Sequence, residues 1–366
     1  MSPGPASLAH TRSSRMASLG IAPRRFTSPA AVVLGLGAVQ AQDYAAASWA
    51  LGLRCASGTL ADVVQAVTDR EVVRTWPMRG TLHLVPAADA GWMCHLLTGP
   101  PIRAAARLFA HLGLTEEVLG TARGAIERAL TGGVALSRPE LFALLAGLGI
   151  DPSAQRGIHL LGRFSQQGLL CQGVPQGRQP TFTLLEEWVP GPNRPTREEA
   201  LATLARRYVG GHGPVTERDF AWWTGQTLGF AREAFGLIDA DVERVSVDGP
   251  PHVVLRDAPT SLPRHGAHLL PGYDELILGY QDRSATMDAA TLARVVPGSN
   301  GVFQPTILAN GRVVGTWTRM TTSSGVVVTA RPFAPLSRTR LASVGRAAAS
   351  YGRFLGAMIS MRLERT

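Results

Sequence analysis

The chain has no lysine. All 36 of its basic residues are arginine, against 27 Asp and Glu in 366 residues. Schiff-base chemistry at a sugar carbon needs an amine, so no side chain here can perform it. Only the terminal amine, at Met1 or at Ser2 after processing, is left. Cysteine is scarce. Cys55, Cys94 and Cys171 stand apart with no C-x-x-C pair, which excludes a disulfide framework and fits reduced, buried thiols of a cytoplasmic protein. No apolar run approaches the length of about 20 residues that a spanning helix needs, so no membrane is implied. The amino terminus lacks the apolar core of a signal peptide. Gly-x-Gly-x-x-Gly and phosphate-loop patterns are missing, so no nucleotide cofactor is implied. Among nine histidines only His265 and His268 stand close. No cysteine or carboxylate joins them at ligand spacing, so the expectation for both cofactor and metal is none.

The net charge of +9 points to a polyanionic partner. Arginine in place of every lysine, with abundant Ala, Gly and Pro, also reads as a GC-rich coding bias, so charge alone does not settle the partner. Residues 1–26 hold Arg12, Arg15, Arg24 and Arg25 and no acid. They read as a basic, disordered tail, with a phosphate-brushing arm as the alternative.

One pattern recurs three times: short helices, a last helix, then a strand–turn–strand wing. The first copy spans 27–98, with paired strands expected over Val72–Trp76 and Thr81–Val85. The second, 99–190, begins with a helical connector. Val118, Leu119, Ala122, Ile126 and Leu130 give Glu116–Leu130 one apolar face. Ser137-Arg138-Pro139-Glu140 starts a helix, Ile158–Gln167 is the last helix, and Leu169–Gln172 with Thr181–Leu184 form the wing. The third, 196–258, opens on a capping-box-like Thr196 and Glu199 and closes on Val242–Val247 and His252–Leu255. Over 264–366 short strands alternate with turns, at Ile277–Tyr280, Val302–Leu308, Arg312–Thr318 and Gly325–Thr329. Asn310-Gly311 is a hairpin signal, and Ser337–Met361 reads as a closing helix. The expected fold class is α+β: three tandem winged-helix units followed by a C-terminal β-barrel-like domain and closing helix.

Gln40-Ala41-Gln42, followed by Asp43, stands in an apolar stretch that reads as helical. Carboxamides bring a donor and an acceptor and cannot ionise. Burying one unpaired costs about 1–3 kcal/mol, so the pair needs partners or water. It can hold a water against an electron-poor carbon, or be a polar helix end bonded to nearby backbone. Three further blocks follow. They are Arg79-Gly80-Thr81-Leu82-His83-Leu84-Val85; Leu270-Pro271-Gly272-Tyr273-Asp274-Glu275 with Gly279-Tyr280-Gln281-Asp282-Arg283; and Val302-Phe303-Gln304-Pro305-Thr306 with Gly311-Arg312-Val313-Val314-Gly315-Thr316-Trp317. In this order the blocks make the chain resemble the tandem winged-helix DNA glycosylases of the AlkZ/YcaQ superfamily, from about residue 27 to 360.

The resemblance implies that Gln40 and Gln42 are catalytic. The glutamine–apolar–glutamine form is that of the AlkZ-like branch; the YcaQ-like branch has an aspartate where Gln42 stands. It further implies three units around a concave basic cleft, and a partner that is double-stranded DNA carrying an alkylated purine, bound by a monomer. The chemistry suits those residue types. An N7-alkylated purine is already cationic and leaves without acid catalysis, so a positioned water and dipoles facing the oxocarbenium-like sugar suffice. The reading is a monofunctional DNA glycosylase for bulky N7-alkylguanine adducts or interstrand crosslinks, in self-resistance to a DNA-alkylating natural product. A YcaQ-like general repair glycosylase and a non-catalytic winged-helix regulator are the alternatives.

Arg79 and His83 on the first wing, Arg156, His159 and Arg163 on the last helix of the second copy, and Arg346 and Arg353 on the closing helix are the DNA-binding candidates. A core-packing role for His83 stays open, as does an ordinary solvated face for the arginines. Asp43 can orient the motif, act as a base or face solvent. Asp274 and Glu275 are expected to tie the β domain to a winged-helix unit.

Overall fold

The computed structural model describes residues 7–177, 179–246, 251–258, 266–299 and 301–364. It is a mixed α/β fold in two compact units. One comprises Met1–Val64, Ala202–Trp223 and Thr227–Thr366, the other Gln65–Leu201 and Thr224–Gln226. The boundaries expected at 26, 98 and 190 do not coincide with this division. No helix among the described residues is long and apolar enough to cross a membrane.

In the second unit both expected strand pairs form. Val72–Met78 pairs antiparallel with Thr81–Pro86, and Leu170–Gln172 with Thr181–Leu184. They are not separate wings, because Arg74 pairs with Gln172 and Leu136–Ser137 adds to Thr181–Leu184. One continuous sheet results, since each hairpin alone leaves an edge of unpaired N–H and C=O groups. Three helices precede the second hairpin: Glu116–Leu130, Arg138–Gly147 and Arg156–Gln166. Their apolar faces meet over Leu119, Ile126, Leu130, Leu141, Leu145, Leu160 and Phe164. The expected capping box closes between Ser137 and Glu140.

The first unit corrects three expectations. Residues 8–18 are not a disordered tail but a helix, Leu8–Ser18, capped by Ser7. Met16, Leu19 and Ile21 behind it are buried, and Arg15 is used internally. Its guanidinium lies 3.9 Å over the Tyr280 ring, 3.6 Å from the Asp219 carboxylate, and bonds the Pro214 carbonyl. The C-terminal strands do not close into a barrel. They form an open sheet in the order Ile359–Leu363, Gly325–Pro332, Arg312–Thr322, Thr306–Ala309, Ala267–Leu270. The first pair is parallel and the rest antiparallel. Of Ile277–Tyr280, expected as a strand, Ile277 and Leu278 lie in the helical turn Glu275–Leu278, because Asp274 caps it by accepting from Leu276 N–H, and Gly279 and Tyr280 follow it.

The closing helix runs over Arg338–Leu355 and stops at Gly356, whose φ of 64° lets the chain turn back into the edge strand. Its buried face packs Tyr351 edge-to-face against Trp49 and Trp317 at centroid distances of 4.9 and 5.3 Å. The two indoles donate to the Leu269 and Leu270 carbonyls. This core ties the helix Tyr44–Arg54 to the sheet. Gly52 permits the approach: a Cβ there would lie 2.2 Å from the Phe354 ring.

Candidate active site

Val39–Gln40 is a two-residue strand, and the chain bends at Gln42 before entering the helix Tyr44–Arg54. The glutamines are therefore not on a helix, as the apolar run suggested, but just ahead of one. Val39 and Ala41 are buried, Gln40 is half-buried and Gln42 is exposed. That alternation is the period of extended chain, and it sets both carboxamides on the side away from the core. Asp43 is exposed at the start of that helix. Its Oδ1 accepts the Ala46 N–H at 3.0 Å and caps the helix. Gln42 thus sits beside a helix amino terminus, where the dipole favours negative charge.

Behind the motif lies a buried polar layer. Glu275 Oε1 accepts the backbone N–H of Gln40 at 3.3 Å. Its Oε2 accepts from Trp223 Nε1 at 2.9 Å and lies 3.2 Å from His212 Nε2. Next to it Asp274 holds Arg54 in a bidentate pair at 2.8 and 2.8 Å, with both side chains fully buried. Burial opposes charge on Arg54, yet the facing Asp274 carboxylate outweighs it and raises the guanidinium pKa above its ordinary value. Asp274 and Glu275 do tie the segment leading from the C-terminal sheet to the helices, as expected. His212, Trp223 and Arg54 were not picked out from the sequence, because nothing in their local spacing shows that a distant carboxylate collects them.

The DNA-binding candidates fall into separate groups. Arg346 and Arg353 are exposed on the Arg338–Leu355 helix, one spacing of seven apart on the face opposite Val344 and Tyr351. Arg24 adds to this side: it donates to Ser350 Oγ at 2.7 Å. Its pKa is lowered by burial and by the neighbouring Arg353.

The remaining candidates lie in the second unit. Arg79 sits at the Val72–Pro86 hairpin tip with φ 54°. His83 is fully buried. Its Nδ1 bonds the Thr81 carbonyl at 2.9 Å and its Nε2 lies 3.0 Å from Arg79 NH2. Nδ1 therefore carries the proton and Nε2 accepts from arginine. On Arg156–Gln166 the three candidates share one helix and are half-buried. Arg156 bonds the Asp151 and Leu112 carbonyls, which satisfies a helix end. Arg163 lies 4.5 Å over the Phe109 ring and the His159 ring is 6.1 Å from it. Burial lowers the Arg163 pKa. The three thiols are free and buried; desolvation pushes Cys55 up to about 11 and Cys94 up to about 12. His268 lies in the strand Ala267–Leu270, and His265 lies outside the described residues.

Comparison with known proteins gives the following. The family model for DNA glycosylase AlkZ-like proteins matches residues 33–354, a span that includes the glutamine motif. An interstrand DNA cross-link repair glycosylase from Streptomyces sahachiroi is 29% identical over 367 aligned positions, covering 93% of this chain and 95% of that protein. The solved structure of the Streptomyces sahachiroi DNA glycosylase AlkZ matches with a TM-score of 0.81 at 27% identity, over 98% of this chain and 100% of that one.

Proposed function

The chain belongs to the DNA glycosylase AlkZ-like family, and from that premise we propose a monofunctional DNA glycosylase that hydrolyses the N-glycosidic bond of bulky N7-alkylguanine adducts or unhooks interstrand crosslinks. The observation that carries this reading is the family match across residues 33–354, with Gln40 and Gln42 inside it. The relative named as an interstrand cross-link repair glycosylase supports the crosslink as substrate. Self-resistance to a DNA-alkylating natural product is the corresponding biological role.

In this mechanism the cationic purine needs no proton to leave. The carboxamide oxygens of Gln40 and Gln42 hold the attacking water and face the positive charge that develops on the sugar. Carboxamides are too weakly basic and acidic to activate a neutral purine, which spares undamaged DNA. The helix–hairpin groupings of both units are read as winged helices that grip the duplex. Arg79, Arg156, Arg163, Arg346 and Arg353 supply charge to phosphates, and His83 acts by supporting Arg79.

The direct test is incubation with duplexes carrying one N7-methylguanine, one bulky N7-guanine adduct, or one nitrogen-mustard crosslink. Alkali-labile abasic sites in the bulky or crosslinked duplex are expected. No release from any of the three overturns the reading. Because no lysine exists, water must take the sugar carbon, so the product is expected to carry no strand nick at neutral pH. Borohydride is expected to trap no protein–DNA adduct; a trapped species would replace water by the terminal amine as nucleophile.

Binding to undamaged duplex is expected to weaken steeply with salt as arginines displace counterions. For about 4–6 phosphate contacts, log K against log salt has a slope of about −4 to −5. A flat dependence measured by fluorescence anisotropy would mean that the positive charge does not serve DNA.

A further inference from the structure

Glu275 is fully buried, and the groups that converge on it are donors: the Gln40 peptide N–H, the Trp223 indole and the His212 imidazole. His212 is itself buried with no partner at Nδ1. Its proton therefore belongs on Nε2, where the carboxylate receives it. The two rings cannot drift. Tyr208 stacks on His212 at 4.6 Å and lies 4.9 Å from Trp223. A Cβ at Gly279 would come within 2.7 Å of the His212 ring. On the other side Asp274 is locked to Arg54.

The structure assigns Glu275 as the positioning residue of the glutamine pair: it fixes the Gln40 peptide against a rigid His212–Trp223 layer and so aims the Gln40 carboxamide at the reacting sugar carbon. This rests on the reading of Gln40 and Gln42 as the catalytic pair. Glu275 is too deep to touch DNA and acts only through the peptide it holds. An attacking water that is misplaced by about 1 Å costs up to about a hundredfold in rate, so the layer matters to rate even though none of it meets the substrate.

Glu275→Gln tests this with no change of shape. The carboxylate has two accepting oxygens; the amide has one, and its NH2 must face a donor, either the Gln40 N–H or the Trp223 indole. Single-turnover excision from a duplex with one bulky N7-guanine adduct is expected to fall about 10- to 100-fold, with affinity for that duplex within about threefold of the parent protein. Trp223→Phe keeps a ring against Tyr208 and removes one donor; about a 2- to 10-fold loss is expected.

A double-mutant cycle reads what a merely structural role would not move. Gln40→Ala with Glu275→Gln is expected to be no slower than Gln40→Ala alone, and the same holds with Trp223→Phe should Glu275→Gln fold poorly. Losses that multiply, a loss confined to affinity, or full rate in both Glu275→Gln and Trp223→Phe overturns the assignment. Full rate in Gln40→Ala overturns the catalytic reading and this inference with it. A slow Gln40→Ala beside full rates in both Glu275→Gln and Trp223→Phe overturns this inference alone.

Discussion

Asp274→Ala is expected to destabilise the unit that holds the glutamine motif by about 3–5 kcal/mol. The change strands the Arg54 guanidinium, fully buried, with only the Ala50 carbonyl left among its named partners. It also removes the cap of the Glu275–Leu278 turn, so Glu275 loses its footing and excision should fall with stability. Denaturant unfolding followed by tryptophan emission is a suitable measurement, because Trp49, Trp223 and Trp317 are buried in this same unit.

Two controls sharpen the test. Removing the exposed Arg206–Asp241 pair by Asp241→Ala is expected to cost no more than about 1 kcal/mol. Replacing both buried partners by apolar residues, Arg54→Met with Asp274→Leu, should cost less than Asp274→Ala alone, because no charge is left buried. A shift for Asp274→Ala no larger than that of the surface control would refute the anchoring role of the pair.

Gln40→Ala and Gln42→Ala are each expected to slow excision at least about tenfold, a loss of about 1.4 kcal/mol of transition-state stabilisation. Stability should hardly change. Gln42 is exposed, and the Gln40 contact to Glu275 runs through its backbone N–H, which alanine keeps. Affinity for undamaged duplex should also stay near the parent value, since a neutral carboxamide releases no counterion. Single-turnover kinetics on a defined N7-alkylguanine duplex decides it. Parent rates in both variants would remove the catalytic assignment from this pair.

Much of the local structure was legible because its causes are local. Ser137 with Glu140 and Thr196 with Glu199 both close the caps that their spacing announces. Asn310 and Gly311 both take positive φ at the hairpin between Thr306–Ala309 and Arg312–Thr322, the conformation that this pair of residues favours. Glu116–Leu130 begins and ends where its apolar spacing does.

Short apolar runs carry less information. Ile277–Tyr280 is too brief for periodicity to separate strand from helix, and the Asp274 cap decided for helix. The glutamine motif reads as helical in the sequence, since Val32, Val33, Leu36 and Val39 keep helical spacing across Gly37. There φ of 82° ends the helix Pro29–Leu36.

The sequence by itself determined the chemistry on offer: two carboxamides beside an acid, no side-chain amine, an excess of arginine, and four blocks whose order marks the family. These are properties of residue type and order, which survive without coordinates. Only the tertiary structure decided what stands behind the glutamines. Glu275 meets a peptide 235 positions away, and Arg54 meets Asp274 at a separation of 220. Likewise Arg15, one of several arginines in a basic stretch, turned inward onto Tyr280 and Asp219. Spacing along a chain reports periodic contacts of three to seven residues. Which buried carboxylate collects which distant donor follows from how packed elements close around it, and no local pattern carries that.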